Sequence, residues 1–307
     1  EQLADWDNAQ QYTQRALILA QSINATEVSY LWQWQLGRIN QALGERSQAI
    51  ANYTQAVELL QSLSRDLVAI NPDVQYSFRD SVEPVYRGLV SLLLESDAGE
   101  SIAQSSLEKA REVMESLQLA ELNHFFREAC LDAQEIEIDR LDPQAAVIYP
   151  IVLSDRLEVI LSMAGQPLKL FTTNVSGKEV DLTLDALYDS LYNQSINNSA
   201  VNIFSTTPLN PREVTENTQA LLPNLQEIYR WLIKPLESEL NSNQIETLVF
   251  ILSGKLQNVP MAALYDGKQY LLEKHSVVLA PSLQLLNTQS KPRNKLKVLA
   301  AGLSQQV

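Results

Sequence analysis

The chain is short of the residues that build disulfide frameworks, metal sites and membrane spans. Its 307 residues include one cysteine, Cys130, and two histidines. A lone cysteine excludes an internal disulfide and is typical of a reducing compartment, so we expect a cytoplasmic protein. One cysteine and two histidines are too few for a typical zinc site, and we predict neither a metal nor a cofactor. The sequence contains no run of about 18 apolar residues, so we predict no membrane span. Residues 1–7 lack the apolar region of a signal peptide.

Basic residues are also few. The chain has 23 Lys and Arg against 37 Asp and Glu, a net charge of −14. Because such a surface repels phosphate, we expect no binding to nucleic acid or to anionic membranes. Residues 100–142 hold eleven acidic and four basic side chains, which is half of the net charge. A solvated helix face explains this stretch, and a docking surface for a basic partner is the alternative.

The hydrophobic pattern divides the chain near residue 135. With 45% hydrophobic residues, the chain is long enough for two domains of about 150 residues each. Residues 1–135 show helical periodicity, whereas residues 136–307 begin with strand-like alternation and continue as strands and helices. We therefore predict helical repeats over 1–135, followed over 136–307 by an α/β domain that opens with an antiparallel meander.

The stretch Tyr30–Leu63 resembles a tetratricopeptide repeat. Leu36-Gly37 lies in a first helix, a turn follows at Gly44, and alanine, aromatic and alanine follow at the template's spacing in a second helix. The template's tryptophan and tyrosine positions hold Gln33 and Asn40 instead, and its closing proline is absent. The resemblance implies a groove that binds a protein or peptide partner. The residues we assign to packing or to this partner surface are Trp32, Trp34, Leu36, Gly37, Ala49, Tyr53 and Ala56.

The second-helix pattern of alanine, larger residue and alanine occurs three times. The triplets begin at Ala9, Ala49 and Ala103, so their spacings are 40 and 54 rather than the template's 34, and residues 67–84 read as an insertion. Ordinary amphipathic helices are the alternative explanation. Because the first triplet lacks a preceding partner helix, we expect the chain to begin inside a longer solenoid.

Three strand-like segments open the second part, at 145–153, 156–163 and 168–175. Two helical stretches follow at 178–193 and 213–240, the second with a buried stripe of leucine and isoleucine. Leu248–Leu252 is a continuous apolar run that predicts a buried parallel strand. We further predict a short helix at 261–264, a hairpin around 271–280 and a last strand at Leu296–Ala300.

The stretch Leu248–Ser282 resembles the first part of the CHAT domain, the caspase-like cysteine peptidase domain found attached to tetratricopeptide repeats. The residues that carry this resemblance follow the buried strand in order, and they include Pro260, Ala263, Leu264, Asp266, Gly267, Pro281 and Ser282. The upstream segments 121–131 and 146–150 resemble cyanobacterial proteins that fuse such repeats to this domain.

The resemblance implies a thiolate nucleophile with a histidine partner. In the family both residues follow the strand that resembles Leu296–Ala300, so we expect them beyond Val307. The chain is then a fragment, truncated at both ends and inactive alone, and we assign no catalytic residue within it. If the full gene lacks a histidine and a cysteine after consecutive strands, the peptidase hypothesis fails.

The histidines and the cysteine of the chain are poor substitutes for that pair. His124 and Cys130 are six positions apart on a predicted helix and do not share a face. We interpret Cys130 as a buried small apolar residue and His275 as a surface or hydrogen-bonded strand residue. Phosphate-loop, dinucleotide and serine-hydrolase motifs are absent.

Two hypotheses for function remain open. One is a caspase-like cysteine endopeptidase whose repeats recruit a partner or a substrate. The other is a non-catalytic scaffold or pseudoenzyme, because packing or solvation explains each residue present.

Overall fold

A computed structural model describes residues 5–67, 82–96, 101–126, 142–199 and 211–282. Within these ranges, five helices precede a mixed five-stranded sheet with three further helices. The predicted class, a helical region followed by an α/β region, is confirmed.

The first three helices run antiparallel in succession. They are α1 (Trp6–Ser22), α2 (Thr26–Ala42) and α3 (Arg46–Leu67), and each packs against the next. The chain turns from α2 into α3 at Gly44, whose φ of +75° suits a residue without a side chain. The turn predicted at this glycine is therefore confirmed.

Two further helices extend the stack. Helix α4 (Glu83–Leu93) begins with a proline in its first turn and lies between α3 and α5 (Gln104–Phe126). Its apolar side chains are buried on more than one side of the helix, as expected for a helix with neighbours on several faces. The stack is compatible with helical repeats.

The sheet combines an antiparallel and a parallel half. Its strands are β1 (Ala145–Val152), β2 (Leu157–Met163), β3 (Lys169–Thr173), β4 (Thr247–Ile251) and β5 (Ser276–Ala280). Their order is β3-β2-β1-β4-β5, with β1–β2–β3 antiparallel and β1–β4–β5 parallel. The predicted meander and the predicted buried parallel strand are both confirmed.

The hairpin predicted around Leu271–Ala280 is wrong. Leu271–Glu273 forms a 3₁₀ turn, and β5 pairs in parallel with β4 rather than folding back on itself. A parallel neighbour requires a crossover, which the 3₁₀ turns between β4 and β5 provide. The short helix predicted at 261–264 is one of these turns, Met261–Ala263.

Helices cover both faces of the sheet. Alternate residues of β1 divide between the two cores: Val147, Tyr149 and Ile151 pack with α3–α5, whereas Ala146 and Ile148 face the other side. That other side is covered by α6 (Gly177–Ser199), α7 (Pro211–Leu232) and α8 (Glu237–Ser242). The predicted helix 213–240 is interrupted by a 3₁₀ turn at Lys234–Leu236, which contains a proline.

Polar contacts fasten the helical region to the sheet. Gln104 at the start of α5 pairs with both backbone groups of Leu168, donating to its oxygen at 2.7 Å and accepting from its nitrogen at 3.0 Å. Arg156, just before β2, donates to the Leu94 carbonyl after α4 at 3.2 Å. Helices α4 and α5 therefore form a third layer of the α/β structure.

Two polar positions are buried against this helical layer. Glu158 of β2 accepts from Arg156 Nε at 2.5 Å and from the Thr172 hydroxyl at 2.7 Å. Glu115 belongs to the acidic stretch, yet it is buried and accepts from the Tyr149 hydroxyl at 2.7 Å. Burial and the Glu115 carboxylate raise the pKa of Tyr149 well above its usual value. The acidic stretch is therefore not solvated throughout.

Some predicted features lie outside the described residues. They are the domain boundary near residue 135, most of the insertion at 67–84, Cys130, and the strand at Leu296–Ala300. The boundary and the strand remain predictions.

Candidate functional site

The candidate site lies where the parallel strands end. In open α/β sheets, ligands bind outside the carboxyl ends of the strands, at the point where neighbouring strands lead off in opposite directions. In the strand order, β1 is followed by β2 on one side. Strand β4, on the other side of β1, is followed by β5, which lies farther in that opposite direction. The carboxyl ends of β1 and β4 therefore define the switch point of the sheet.

A charged side chain from the helical region occupies this switch point. Arg87 of α4 donates from one terminal nitrogen to the Val152 carbonyl at 3.0 Å, and from the other to the Ser253 hydroxyl at 3.2 Å. Its Nε donates to the Glu83 carboxylate at 2.6 Å. Since Val152 ends β1 and Ser253 follows β4, one guanidinium joins the ends of two neighbouring strands.

Gly254 lets the backbone pass close to this ion pair. Its φ is +59°, which side chains disfavour, and a Cβ built there would lie 3.4 Å from Arg87 and 3.7 Å from Glu83. This conformation starts the 3₁₀ turn Gly254–Asn258. A glycine is thus required here by backbone geometry more than by lack of space.

Two glutamines converge on the first residue after β4. Gln118 of α5 donates to the Leu252 carbonyl at 3.1 Å, and Gln257 donates to the same oxygen at 3.2 Å and to Glu121 at 3.1 Å. The amide oxygen of Gln118 is buried without a hydrogen-bond partner. Helices α4 and α5 thus supply much of the polar lining of this edge.

The CHAT-like positions after β4 serve mainly to shape the chain. Pro260 precedes the 3₁₀ turn that contains Ala263, and Leu264 is fully buried. Pro281 and Ser282 follow β5, where Ser282 is also fully buried. These residues place the strands but present no exposed nucleophile.

Asp266 and Gly267 form a tight turn at some distance along the chain from the switch point. Asp266 accepts from the backbone nitrogens of Lys268 and Gln269 at 2.6 and 2.7 Å, and Gly267 has a φ of +99°. A hydrogen bond from the Lys274 ammonium, with the two backbone bonds, lowers the pKa of Asp266 to about 2. The Asp266 carboxylate is therefore ionised and stabilises this turn.

His275 lies immediately before β5. Its Nδ1 is 2.9 Å from the Ile245 carbonyl, so this nitrogen carries the proton and donates. Burial and the neighbouring ammonium of Lys274 lower the pKa of His275, despite this bond. The ring sits at the amino-terminal ends of β4 and β5, opposite the switch point.

In the helical region, two glycines pack against the ring of one predicted residue, Tyr53. Tyr53 of α3 is buried between Gly37 of α2 and Gly88 of α4, where built Cβ atoms would lie 2.5 and 2.4 Å from its ring carbons. The remaining predicted residues are Leu36, Ala49 and Ala56, which are buried, and Trp32 and Trp34, which are half-buried. The Arg38 guanidinium stacks 4.4 Å from the Trp34 ring centroid.

Sequence reasoning missed Arg87 and Gly88. A signal for Gly88 existed, because it precedes the third alanine triplet much as Gly37 precedes the second. Arg87 gave no comparable signal, since its partners on the sheet are 65 and 166 residues away.

The described ranges contain no cluster of three or more histidine, cysteine or acidic side chains that could hold a metal ion. They also contain no helix long and apolar enough to cross a bilayer.

Residues 222–307 match the family model of the CHAT domain. The match begins within α7 and includes β4, β5 and the turns between them. This part of the chain is therefore similar to a caspase-like, peptidase-related family. No curated protein matches the chain.

Proposed function

We propose that the chain contributes the leading part of a caspase-like cysteine endopeptidase domain of the CHAT type. The observation that carries this proposal is the family match over 222–307, which coincides with two parallel strands beside a sheet switch point. In such a domain a thiolate attacks the scissile carbonyl, and an imidazole transfers the proton to the leaving amine. None of the described residues is assigned to this pair.

The helical region is proposed to consist of tetratricopeptide-like repeats. The whole chain is proposed to be of the cyanobacterial type that fuses such repeats to a CHAT domain. Support for the repeat comes from Tyr53 of α3, which packs between a glycine of the preceding helix, α2, and a glycine of the following helix, α4. Its proposed role is to recruit a protein or peptide to the α/β part. The half-buried Trp34 and Arg38 pair on α2 is the best candidate contact, because the face of α4 is already covered by the sheet.

A cleavage assay tests the peptidase proposal. The 307-residue chain and any longer product of its gene are each incubated with a peptide library and with a thiol-directed, peptide-based inhibitor. We expect inhibitor-sensitive cleavage from a longer product and none from the 307 residues. Cys130→Ala is the matched control, since Cys130 is the chain's one cysteine.

The outcome of that control is decisive in both directions. Cleavage that survives Cys130→Ala fits a nucleophile elsewhere. Cleavage by the 307-residue chain that Cys130→Ala abolishes would contradict our assignment, because it would make Cys130 the nucleophile.

A non-catalytic scaffold is the second candidate function. The observation that favours it is that the polar groups at the switch point, Arg87, Glu83 and Ser253, are bonded to one another. In that case, the gene product would bind a partner through α2 without cleaving any peptide. Trp34→Ala would then weaken partner binding in the intact chain, and the cleavage assay would stay negative for every product.

A further inference from the structure

The switch point between β1 and β4 is closed by a side chain that does not belong to the sheet. In open sheets a crevice forms at this place, but here the Arg87 guanidinium bridges Val152 and Ser253. Ser253 beneath it is 3% exposed. The Ser253 hydroxyl is thus buried and bonded to a residue of α4.

The closure is held from two sides. Glu83, one turn earlier on α4, binds Arg87 Nε at 2.6 Å and orients the guanidinium toward the strand ends. Gly254 lies against the pair on the sheet side, where a built Cβ would be 3.4 Å from Arg87. The guanidinium is therefore anchored by its own helix and seated in a loop of the sheet.

Helix α4 is fixed in the core, and Arg87 reaches the strands with the end of its side chain. Helix α4 contributes Val85, Leu89 and other buried residues to the core shared with the sheet, so displacing the helix would expose much apolar surface. The Arg87 side chain retains 21% exposure and is linked to the strands by two hydrogen bonds only. Rotation of the Arg87 side chain would break these two bonds and leave the helix in place.

We propose that Arg87 is a gate: in the resting protein it closes the β1–β4 crevice, and its rotation admits a ligand. This proposal rests on the proposed function in so far as the ligand is a polypeptide substrate. The gate also lies next to Gly88, which packs on Tyr53 of α3. A partner that shifts α3 against α4 therefore acts at the residue adjoining the gate.

Alkylation of a thiol placed at residue 253, where the hydroxyl now bonds Arg87, tests the gate without reference to catalysis. Ser253→Cys is made in the intact chain with Cys130→Ser, so that one thiol remains, and the rate of reaction with N-ethylmaleimide is measured against pH. The plateau rates at high pH are compared, because there the thiol is ionised in every variant and Arg87 no longer affects its ionisation.

Arg87→Met, which keeps the side-chain length without its donors, is expected to raise the plateau rate at least about tenfold. Glu83→Gln, which only loosens the anchor, is expected to raise it less. Lys109→Met, at an exposed ion pair on α5, is the matched control and should leave it unchanged. A rate in Arg87→Met equal to that of its parent overturns the gate; if that variant does not fold, an unchanged rate in Glu83→Gln overturns it.

Peptide cleavage is measured as a separate readout, on the same substitutions placed in a longer product of the gene. Faster alkylation with no cleavage by any longer product rejects the endopeptidase and leaves the gate standing. Cleavage with unchanged alkylation rejects the gate alone.

Discussion

Tyr53 sets the spacing of three helices with one ring. The ring touches Gly37 on one side and Gly88 on the other, so it cannot move away from either glycine without meeting the other. Small residues on both neighbours let the helices approach closely, and the ring fills the space between them.

Gly88→Ala is expected to destabilise the protein by about 1–3 kcal/mol, because the added methyl group would lie 2.4 Å from the Tyr53 ring. Urea denaturation followed by circular dichroism measures the free energy of unfolding. The control is the same substitution in a Tyr53→Leu background, where the cost should be smaller. An equal cost in both backgrounds would rule out the ring as the cause.

Asp266 makes stability depend on acid pH. Its pKa is about 2 in the folded chain, against 3.8 ordinarily, so its contribution is complete above about pH 4 and is lost as the pH falls toward 2. Asp266→Asn should therefore destabilise the protein near pH 7, with a difference from wild type that shrinks between pH 4 and 2. Thermal denaturation over this range measures the effect.

Asp155→Asn serves as the comparison, because its carboxylate is 63% exposed beside Arg156. We expect a weaker effect of this substitution. A difference between Asp266→Asn and wild type that stays constant from pH 7 to 2 is incompatible with the charged role of Asp266.

Individual residues could be predicted where their partners are near in sequence. Gly37 and Tyr53 were found because a short repeat pattern links them, whereas Arg87 and Glu115 contact residues of a distant strand. An acidic residue on an amphipathic helix gives no sign that a tyrosine hydroxyl will meet it in the core. Only the packing of α5 on β1 shows that Glu115 is buried.

At the scale of elements, α5 is both the last helix of the stack and a layer of the sheet. One side of the helix lies against β1, where Tyr149 donates to Glu115 in the interior. This bond ties the helix to the strand and is shielded from water.

Tyr149→Phe is expected to cost about 1–3 kcal/mol of unfolding free energy, because it removes the donor to a buried carboxylate. Chemical denaturation measures this cost. Tyr12→Phe, at a ring that is 64% exposed on α1, should cost far less. Equal effects of the two substitutions would show that the buried bond does not stabilise α5 on the sheet.

Strands were predicted well where a periodic or continuous apolar run was long. Strands β1, β2 and β4 are almost wholly buried, and their sequences show it. The short strand β5 is mostly exposed and follows a 3₁₀ turn, a pattern that also suits a hairpin. Its parallel pairing depends on the crossover between β4 and β5, which the local sequence does not specify.

At the scale of the whole molecule, the helical and α/β parts share one core. Side chains of α3, α4 and α5 pack with alternate residues of β1, β2 and β4 in a single cluster. The change of hydrophobic period near residue 135 revealed two kinds of structure. It did not reveal that the last helices of the helical region cover one face of the sheet.

The shared core predicts that α3–α5 and the sheet unfold together. Leu117 of α5 is fully buried on one face of the sheet, and Trp231 of α7 is buried on the opposite face. Leu117→Ala, made with Trp6, Trp32 and Trp34 replaced by phenylalanine, should cost about 2–5 kcal/mol.

The direct measurement is urea unfolding of that protein, followed by Trp231 fluorescence and by far-ultraviolet circular dichroism, with Leu19→Ala at an exposed α1 position as the control. We predict that Leu117→Ala lowers the fluorescence midpoint and that a circular-dichroism transition moves with it, while Leu19→Ala changes neither. A Trp231 midpoint that does not move, while a separate helical transition shifts, would contradict a shared core.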